Sequence, residues 1–467
     1  KTIISTKAFG MGVDIDDITC VYHHAPSGHL ADYVQEVGRL ARKETNGTAR
    51  IDFNNKDLKF TKILYGLSSI KQYQVSMVLE KLLRVYDIKK TRNLLVSVDD
   101  FQYIFNFEGV DVDQKVKSSL LLLEKDLLSK YRYNVLIARP KSLFSTVYAR
   151  VNKNEREEFF SKYKAFCKII PDRKIENKGQ LVVKIELDRI WEKYHSDISF
   201  PLIKKQFFDK TLFEEEGLYV SPQLRLGINL NQSSTETFDL LTKYFGIVEY
   251  GLTQMGGKFF TKVQFTQVLN QKFQNHHKAK RISDLILSIY GAPVIAKGRY
   301  PEFTKPECFI QTRRMGSEMT YRVFQSNYPK VKSSMRKRFN RMFGNLQEGE
   351  KDATFFIPTR SEKNIGMIQL AYVLESFDLG TYEMSGGEQP SIFIRLNDPS
   401  KLKWISKKGY TNDILREVDR RQKTSVQIME YFFTKELTTE ERWTFIEDYF
   451  LGKTADELIS VEVEEDD

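Results

Sequence analysis

The sequence has few cysteines and no long apolar run, and each shortage excludes a class of protein. Its three cysteines, Cys20, Cys167 and Cys308, lie far apart and form no CxxC pair. This argues against a disulfide framework and against a four-cysteine zinc site, so we expect no zinc and no other metal ligand set. No run of about 18 uninterrupted apolar residues and no secretory leader are evident, so we expect a cytoplasmic protein without a membrane partner.

Aromatic and charged residues are abundant. Hydrophobic residues make up 41% and charged residues 29% of the 467 positions, with 33 Phe and 23 Tyr to build cores. This composition indicates globular modules, and the length suggests about three or four domains. The net charge is +10. A polyanion partner would fit that charge, although many basic proteins bind none.

The first 60 residues alternate between strand-like and helix-like runs. The strand-like runs are 3–6, 19–23 and 48–53, a glycine loop occupies 8–14, and the helix-like run is 30–41. Such alternation at short spacing predicts part of an open α/β sheet, in which ligands bind at the carboxyl ends of the strands. Two motifs lie at those ends.

The first motif is the glycine loop TKAFGMGVD at residues 6–14. Gly10 and Gly12 let the backbone turn tightly and approach a phosphate closely. Thr6 offers a hydroxyl and an amide to a nucleic-acid backbone, and Asp14 can accept a hydrogen bond from a ribose hydroxyl or orient an arginine. By itself, such a loop is more often only a turn.

The second motif is QEVGRLAR at residues 35–42. On one helix, Gln35, Arg39 and Arg42 would stand at i, i+4 and i+7 and project from one face. Two converging guanidinium groups suit the charge that develops on a phosphoryl group during its transfer. The alternative is a solvated helix with two surface arginines.

The run AFGMGVD, the strand-like run 19–23 and the motif QEVGRLAR, in this order and spacing, resemble motifs V and VI of superfamily 2 helicases, and the RecQ family most closely. The resemblance covers about 60 residues. It implies a RecA-like fold, ATP and Mg²⁺ as cofactors, and movement in the 3′ to 5′ direction. It also implies roles for individual residues: DNA phosphate contact at Thr6 and Lys7, coupling of that contact to ATP at Gly12 and Asp14, and γ-phosphate contact at Gln35, Arg39 and Arg42.

The chain departs from the family in three respects. The family usually shows GRAGRD where residues 38–43 read GRLARK, and the zinc site that follows many RecQ motors is missing. No GxxxxGK[ST] loop and no DExH run occurs in the 467 residues. We therefore expect the phosphate cradle and the Mg²⁺ carboxylate on a partner, the N-terminal RecA-like lobe of the same protein, and no ATP hydrolysis by this chain alone.

The rest of the chain is expected to form α+β modules of winged-helix type, which makes the protein multidomain. The predicted boundaries are 1–60, 61–155, 156–232, 233–345, 346–410 and 411–467. A helix over 116–128 followed by a hairpin of 133–138 and 143–151 predicts a DNA-binding winged helix with Lys117, Arg139 and Lys141 as contacts. A purely structural α+β unit is the alternative. Similar units are expected at 187–231 and 265–291.

The most basic stretch, residues 330–343, is predicted to be a helix. Its apolar residues Met335, Phe339, Met342 and Phe343 would be buried. The opposite face is either solvated or binds phosphates. Its candidate nucleic-acid contacts are Lys332, Arg336, Lys337, Arg338 and Arg341.

One of the last two modules is predicted to be β-rich over 354–405, with a hairpin at the glycine pair 386–387. The other is predicted to form two amphipathic helices over 412–450, with Thr439 as the cap of the second. Either could bind a protein partner. The leading hypothesis is the C-terminal part of an ATP-dependent DNA helicase that contacts duplex and single-stranded DNA. The alternatives are a non-catalytic nucleic-acid-binding or regulatory fragment and an RNA-directed helicase.

Overall fold

The computed structural model describes residues 3–4, 18–40, 46–54, 57–58, 70–105, 112–141, 146–294, 303–304, 308–315, 318–324, 328–347, 349–360, 365–389 and 391–459. The chain forms two compact units. The first unit combines Lys1–Val75 with Thr411–Asp467, and the second unit is Ser76–Tyr410.

Strands and helices are interspersed along the described part of the chain. The strands are β1 (Cys20–His23), β2 (Thr48–Ile51), β3 (Asn93–Ser97), β4 (Leu136–Lys141), β5 (Thr146–Asn152), β6 (Cys167–Ile170), β7 (Gln180–Glu186), β8 (Val220–Leu230), β9 (Phe260–Thr261), β10 (Gly291–Ala292), β11 (Ile310–Met315), β12 (Glu318–Val323), β13 (Asp352–Pro358), β14 (Gly380–Ser385) and β15 (Ser391–Leu396). The α-helices are α1 (Leu30–Val37), α2 (Gln72–Lys89), α3 (Val112–Tyr131), α4 (Arg156–Tyr163), α5 (Arg173–Glu176), α6 (Leu187–Tyr194), α7 (Phe200–Asp209), α8 (Ser234–Met255), α9 (Lys262–Phe273), α10 (His276–Tyr290), α11 (Tyr328–Phe343), α12 (Ile365–Ser376), α13 (Pro399–Lys407), α14 (Asp413–Thr434), α15 (Thr439–Phe450) and α16 (Ala455–Ile459).

The first unit contains a strand, helix, strand arrangement. β1 and β2 pair in parallel, from Cys20 opposite Thr48 to His23 opposite Ile51, and α1 connects them. This confirms the α/β pattern predicted for 19–53. Ile3 and Ile4 lie outside any strand, and residues 5–17, with the glycine loop, lie outside the described residues.

The C-terminal helices complete the core of the first unit. Leu30 of α1 and Leu58 are buried together with residues of α14, α15 and α16, and Tyr33, Val34 and Phe53 pack at the edge of the same cluster. α14 and α15 confirm the two helices predicted over 412–450. Thr438, rather than the expected Thr439, caps α15, because its hydroxyl accepts a hydrogen bond from the Glu441 amide.

The second unit contains a large antiparallel sheet with the strand order β13-β8-β5-β7-β6. β14 also pairs with β8, through residues 225–230, beyond the stretch 220–223 that pairs with β5. One face of this sheet is covered by α4, α6 and α7, and the core there includes Phe159 and Tyr163 of α4, Phe207 of α7 and Phe213, which follows α7.

Two predicted hairpins are wrong. β4 pairs with β15, whereas β5 pairs with β7 and β8, so the helix and hairpin expected over 116–151 do not form a winged helix. β14 pairs with β8 and β15 pairs with β3 and β4, so the glycine turn at 386–387 carries the chain from one sheet to another. Both errors have one cause: a turn signal identifies a reversal, but the pairing of buried strands is decided by partners far away in sequence.

Other predicted elements also differ from the structure. The unit expected at 187–231 consists of the helices α6 and α7 and a single long strand, β8, and the unit expected at 265–291 is the two helices α9 and α10. α12 lies inside the stretch predicted to be β-rich, where its residues Leu370–Ser376 are all buried. A helix that is buried on every side lacks the amphipathic period by which helices are recognised.

The chain segment from α8 to β12 has a helix, strand, helix, helix, hairpin order. β9 pairs antiparallel with β12, and β12 pairs antiparallel with β11, so the short strand before α9 closes the sheet of the hairpin. β10 pairs in parallel with β11. Across the described residues, no helix has both the length and the apolar character that a membrane span requires.

Candidate functional site

A hydrogen-bonded network joins the end of β1 to α1. His23 Nε2 lies 2.9 Å from Glu36 Oε2, and the Ser27 hydroxyl donates to the same oxygen at 2.7 Å. Burial would raise the pKa of Glu36, but the hydrogen bonds from His23 and Ser27 outweigh burial and hold that pKa below its ordinary value. The charged carboxylate therefore fixes the strand end, the following loop and the helix relative to one another.

Tyr33, one turn before Glu36 on α1, contacts the His23 ring, with centroids 5.2 Å apart, and also packs against α14. The Tyr33 ring makes edge contacts with Phe432 and Phe433, with ring centroids 5.5 Å and 5.3 Å apart. His29 Nδ1 is hydrogen-bonded to the Ser425 hydroxyl at 2.7 Å, and that hydroxyl donates to the Gly28 carbonyl at 3.1 Å. α1 is thus held both by the carboxylate network and by α14.

The structure corrects the geometry predicted for QEVGRLAR. α1 ends at Val37, because the Gly38 amide makes the last helical bond, to Val34 O at 2.7 Å, and glycine is a poor continuation for a helix. Arg39 therefore lies in the turn after the helix and does not share a helical face with Gln35. Gln35 is exposed and Arg39 is half-buried.

The remaining predicted motor residues lie outside the described residues: Thr6, Lys7, Gly12, Asp14 and Arg42. Their roles stay predictions, as do those of Gln35 and Arg39.

Three of the predicted nucleic-acid contacts have carboxylate partners. Lys117 Nζ lies 2.7 Å from Asp113, Arg139 Nη1 lies 2.8 Å from Glu124, and Lys332 Nζ lies 2.9 Å from Glu249. Lys141 belongs to β4, but its side chain is outside the described part of the chain. Much of the positive charge expected to face a phosphate is therefore already neutralised by the protein.

The basic helix α11 has the predicted buried stripe. Met335, Phe339, Met342 and Phe343 are all buried, which confirms that part of the prediction. The Arg336 guanidinium lies over the Phe238 ring at 5.1 Å, and Arg338 Nη1 lies 3.5 Å from Gln369 Oε1. Lys337 and Arg341 are exposed on the other side of the helix.

A basic hairpin, β11 and β12, was not predicted as a site. Arg313 and Arg322 lie on neighbouring strands and flank the Phe259 ring at 5.8 Å and 6.0 Å, and Arg314 is exposed beside them. The hairpin could have been predicted from the sequence. In the run TRRMGSEMTYR, polar and apolar residues alternate after a Gly-Ser pair of the kind found in hairpin turns.

α10, which precedes this hairpin, is buried along most of its length. The Arg281 guanidinium pairs with Asp378 at 2.6 Å and also donates to the Ser376 carbonyl at 2.9 Å. Ile282, Leu285 and Ile286 are buried as well. α10 is therefore a poor candidate for a nucleic-acid contact, whereas Arg313 and Arg314 of the hairpin are exposed.

The described residues contain no group of three or more His, Cys, Asp and Glu side chains arranged to hold a metal ion.

Comparison with known proteins places the similarity at the start of the chain. The helicase conserved C-terminal domain matches residues 1–44. ATP-dependent helicase wrn-1 of Caenorhabditis elegans is 35% identical over 71 residues, which are 15% of this chain and 7% of that protein. ATP-dependent DNA helicase Q1 of Pongo abelii is 27% identical over 109 residues, 23% of this chain and 16% of the relative.

A third relative is the mitochondrial ATP-dependent RNA helicase MSS116 of Meyerozyma guilliermondii, 34% identical over 62 residues, 13% of this chain and 9% of the relative. The chain thus spans only a small part, between 7% and 16%, of the length of these three relatives. No solved structure matches the chain.

Proposed function

Because this chain is the C-terminal portion of a RecQ-like superfamily 2 helicase, with the helicase conserved C-terminal domain at residues 1–44, we propose that it takes part in coupling ATP hydrolysis to movement on DNA. The observation that carries the proposal is the coincidence of that domain match with the QEVGRLAR motif, on a parallel strand, helix, strand unit. Its direction would be 3′ to 5′.

The 467 residues contain no phosphate loop and no DExH run, so the ATP contacts would be shared between this chain and a second lobe. The N-terminal RecA-like lobe of the same protein would hold the ATP phosphates and Mg²⁺. This chain would supply Gln35, Arg39 and Arg42 to the γ-phosphate, with Arg42 as the arginine finger. Gly12 and Asp14 would couple ATP to the DNA phosphate contact of Thr6 and Lys7.

The Glu36 network supports this role for the turn that follows α1. Displacing a catalytic group by about 1 Å can cost about a hundredfold in rate, so an arginine that stabilises a transition state needs a rigid support. Glu36 anchors α1 to His23 and Ser27 within 3 Å, only three residues before Arg39. We therefore assign Glu36 a positioning role and not a catalytic one.

We further propose that the segment from α8 to β12 is a winged-helix module that contacts DNA through its hairpin. Its strand pairing supports this, because the strand before α9 closes the sheet formed by β11 and β12. Since α10 is buried, the contact would be made by Arg313, Arg314 and Arg322 rather than by a helix in the major groove. Lys337 and Arg341 of α11 are the nearest further candidates along the chain.

The decisive experiment uses the full-length protein, including the lobe with the phosphate loop. Arg42→Ala should lower ATP turnover by about a thousandfold or more, as loss of an arginine finger does, and should leave DNA affinity nearly unchanged. Arg416→Ala is the matched control, because Arg416 is an exposed arginine of the same unit, paired only with Asp413. Full turnover by Arg42→Ala, or measurable turnover by the 467-residue chain alone, would contradict the proposal.

An RNA-directed helicase is the second candidate, because one relative is named as an RNA helicase. Motifs that contact phosphates do not distinguish the two nucleic acids, but a 2′-hydroxyl contact elsewhere would. ATP turnover of the full-length protein, stimulated in turn by DNA and RNA strands of the same length, would choose between them. If neither strand stimulates turnover, the non-catalytic binding fragment remains.

A further inference from the structure

An open cleft of about 820 Å³ lies between α4 and α6 of the second unit. None of its lining residues was among the nucleic-acid contacts discussed so far. Its lining residues are Ser161, Lys162, Lys164, Ala165, Lys193 and Tyr194. Three of the six are lysines, and none is acidic.

Two of these lysines, Lys162 and Lys193, lie against aromatic rings. Phe166 and Tyr194 pack edge to face, with centroids 6.2 Å apart. The ammonium groups of Lys162 and Lys193 each lie 5.1 Å from the Tyr194 ring centroid, and the Tyr194 hydroxyl donates to the Lys162 carbonyl at 3.0 Å. Contact with the ring restricts these long side chains, so binding an anion would cost less conformational entropy than it does at free lysines.

The cleft also keeps positive charge that the protein does not neutralise. Lys162 pairs with Glu216 at 2.8 Å. For Lys164 and Lys193, no carboxylate of the described residues lies within ion-pair distance, and both side chains are exposed. Glu192 precedes Lys193 on α6, but adjacent helical residues point about 100° apart. In this respect the cleft differs from Lys117, Arg139 and Lys332, which all have acidic partners.

We propose that this cleft binds the phosphate groups of a nucleic-acid strand, with Lys164 and Lys193 as the primary contacts. The identity of the polyanion rests on the proposed function, which the cleft extends by a second, separate contact surface. The ammonium groups of Lys162 and Lys193 already contact the Tyr194 ring, so a base would not stack on it. The cleft would therefore bind phosphates rather than bases. Such a contact is independent of sequence, and it gains free energy from the counterions that the strand releases.

The test is a salt titration with the 467-residue chain and a fluorescent oligo-dT strand of about 20 nucleotides, long enough to cover one site. Affinity is measured by anisotropy between about 50 and 200 mM salt. The variant is the double substitution Lys164→Gln with Lys193→Gln. The control, Lys153→Gln with Lys407→Gln, removes the same charge at two exposed lysines outside the cleft.

Losing two phosphate contacts on a single strand should reduce the slope of log K against log salt by roughly 1.4, at about 0.7 per contact. The control should keep the wild-type slope, and circular dichroism should be the same for all three proteins, because every changed side chain is exposed. A cleft variant whose slope and affinity equal those of the control overturns the proposal.

The experiments distinguish a failure of the cleft proposal from a failure of the proposed helicase function. An unchanged slope in the cleft variant, together with DNA-stimulated ATP turnover by the full-length protein, overturns only the cleft. Absence of turnover in the full-length protein, together with the expected loss of slope, overturns only the proposed function. A wild-type chain that binds no strand even at low salt overturns the cleft as well.

Discussion

Lys81 and Glu375 form an ion pair in which both side chains are fully buried. Lys81 Nζ lies 2.7 Å from Glu375 Oε2, donates to the Tyr382 carbonyl and lies 4.0 Å from the centroid of the Tyr382 ring. Glu375 also accepts hydrogen bonds from Arg84 and Thr381. Burial would raise the pKa of Glu375, but the charges of Lys81 and Arg84 outweigh it and hold that pKa below its ordinary value.

Replacing Lys81 by Met should destabilise the second unit by about 3–5 kcal/mol, because one buried charge would lose its main partner. Urea unfolding followed by tryptophan fluorescence measures the change. Lys153→Met, at an exposed position, is the control and should lie within about 0.5 kcal/mol of wild type. A loss below about 1 kcal/mol for Lys81→Met would show that Arg84 alone compensates Glu375.

At the scale of single residues, the sequence identifies the cationic side chains but not, in most cases, the carboxylates that pair with them. The pair of Lys117 with Asp113 has the i, i+4 spacing of a helix and can be recognised from the sequence. Arg139 with Glu124 and Lys332 with Glu249 are pairs between different elements. These ion pairs depend on how distant elements pack, which local spacing does not encode. Counting lysines and arginines in the sequence therefore overestimated how many cations are free to contact a phosphate.

At the scale of elements, α14 supports α1. Phe432 is 1% exposed, its ring contacts Tyr33, and its carbonyl accepts a hydrogen bond from Arg442 at 2.7 Å. The same Arg442 guanidinium lies over the Phe432 ring at 5.2 Å. Phe432 is therefore fixed by α15 on one side and packs against the helix that carries Gln35 and Glu36 on the other.

Phe432→Ala should cost about 3–5 kcal/mol, the usual range for removing a buried phenylalanine, and should loosen α1. Hydrogen exchange in the 467-residue chain is the measurement, with faster exchange expected for the amides of 33–38. Phe450→Ala provides the control, since Phe450 lies on neighbouring α15 but is 57% exposed. Unchanged protection of α1 in Phe432→Ala would mean that α14 does not hold it.

Elements whose signals are local were predicted well from the sequence. The helices α14 and α15 were predicted from their apolar period, whereas the cap of α15 was expected one residue late, at Thr439 instead of Thr438. The pairings of β4 and β5 were not predicted, because their partners come from distant parts of the chain. In the candidate site, the motif of 35–42 was recognisable, whereas the bonds from Glu36 to His23 and Ser27 were not.

At the scale of the whole molecule, the second unit is inserted between the two sequence segments of the first. The sequence suggested six modules that follow one another along the chain, and the bounds of these modules stay predictions. The composition did not indicate that 411–459 would share a core with 18–58, because both segments read as ordinary amphipathic structure. Which apolar faces meet is a property of the folded chain and not of either segment.

The second unit should become more stable as the pH falls from about 7 to about 5. Burial raises the pKa of Asp99 to about 6 and that of Asp100 to about 7, so the folded state binds protons that the unfolded chain has already released. Glu375 and Asp378 have lowered pKa values, so their stabilisation is lost only below that window.

The urea midpoint, measured at about pH 7 and about pH 5, tests this prediction. The midpoint should be higher at the lower pH, and Asp99→Asn should reduce the difference, since one of the two proton-binding groups is gone. Asp413→Asn, on the exposed start of α14, should leave the difference intact. A midpoint that falls on acidification would falsify the prediction.

The shared core of Leu30 and Phe432 has a consequence for synthesis on the ribosome. The two residues are about 400 positions apart, and at about 5–20 residues per second the ribosome needs roughly 20 to 80 s to travel between them. Throughout that interval the nascent Leu30 and Tyr33 lack the aromatic neighbours that cover them in the finished protein. Until α14 and α15 leave the exit tunnel, the nascent chain therefore exposes this apolar surface and must be kept from aggregating, with or without a chaperone.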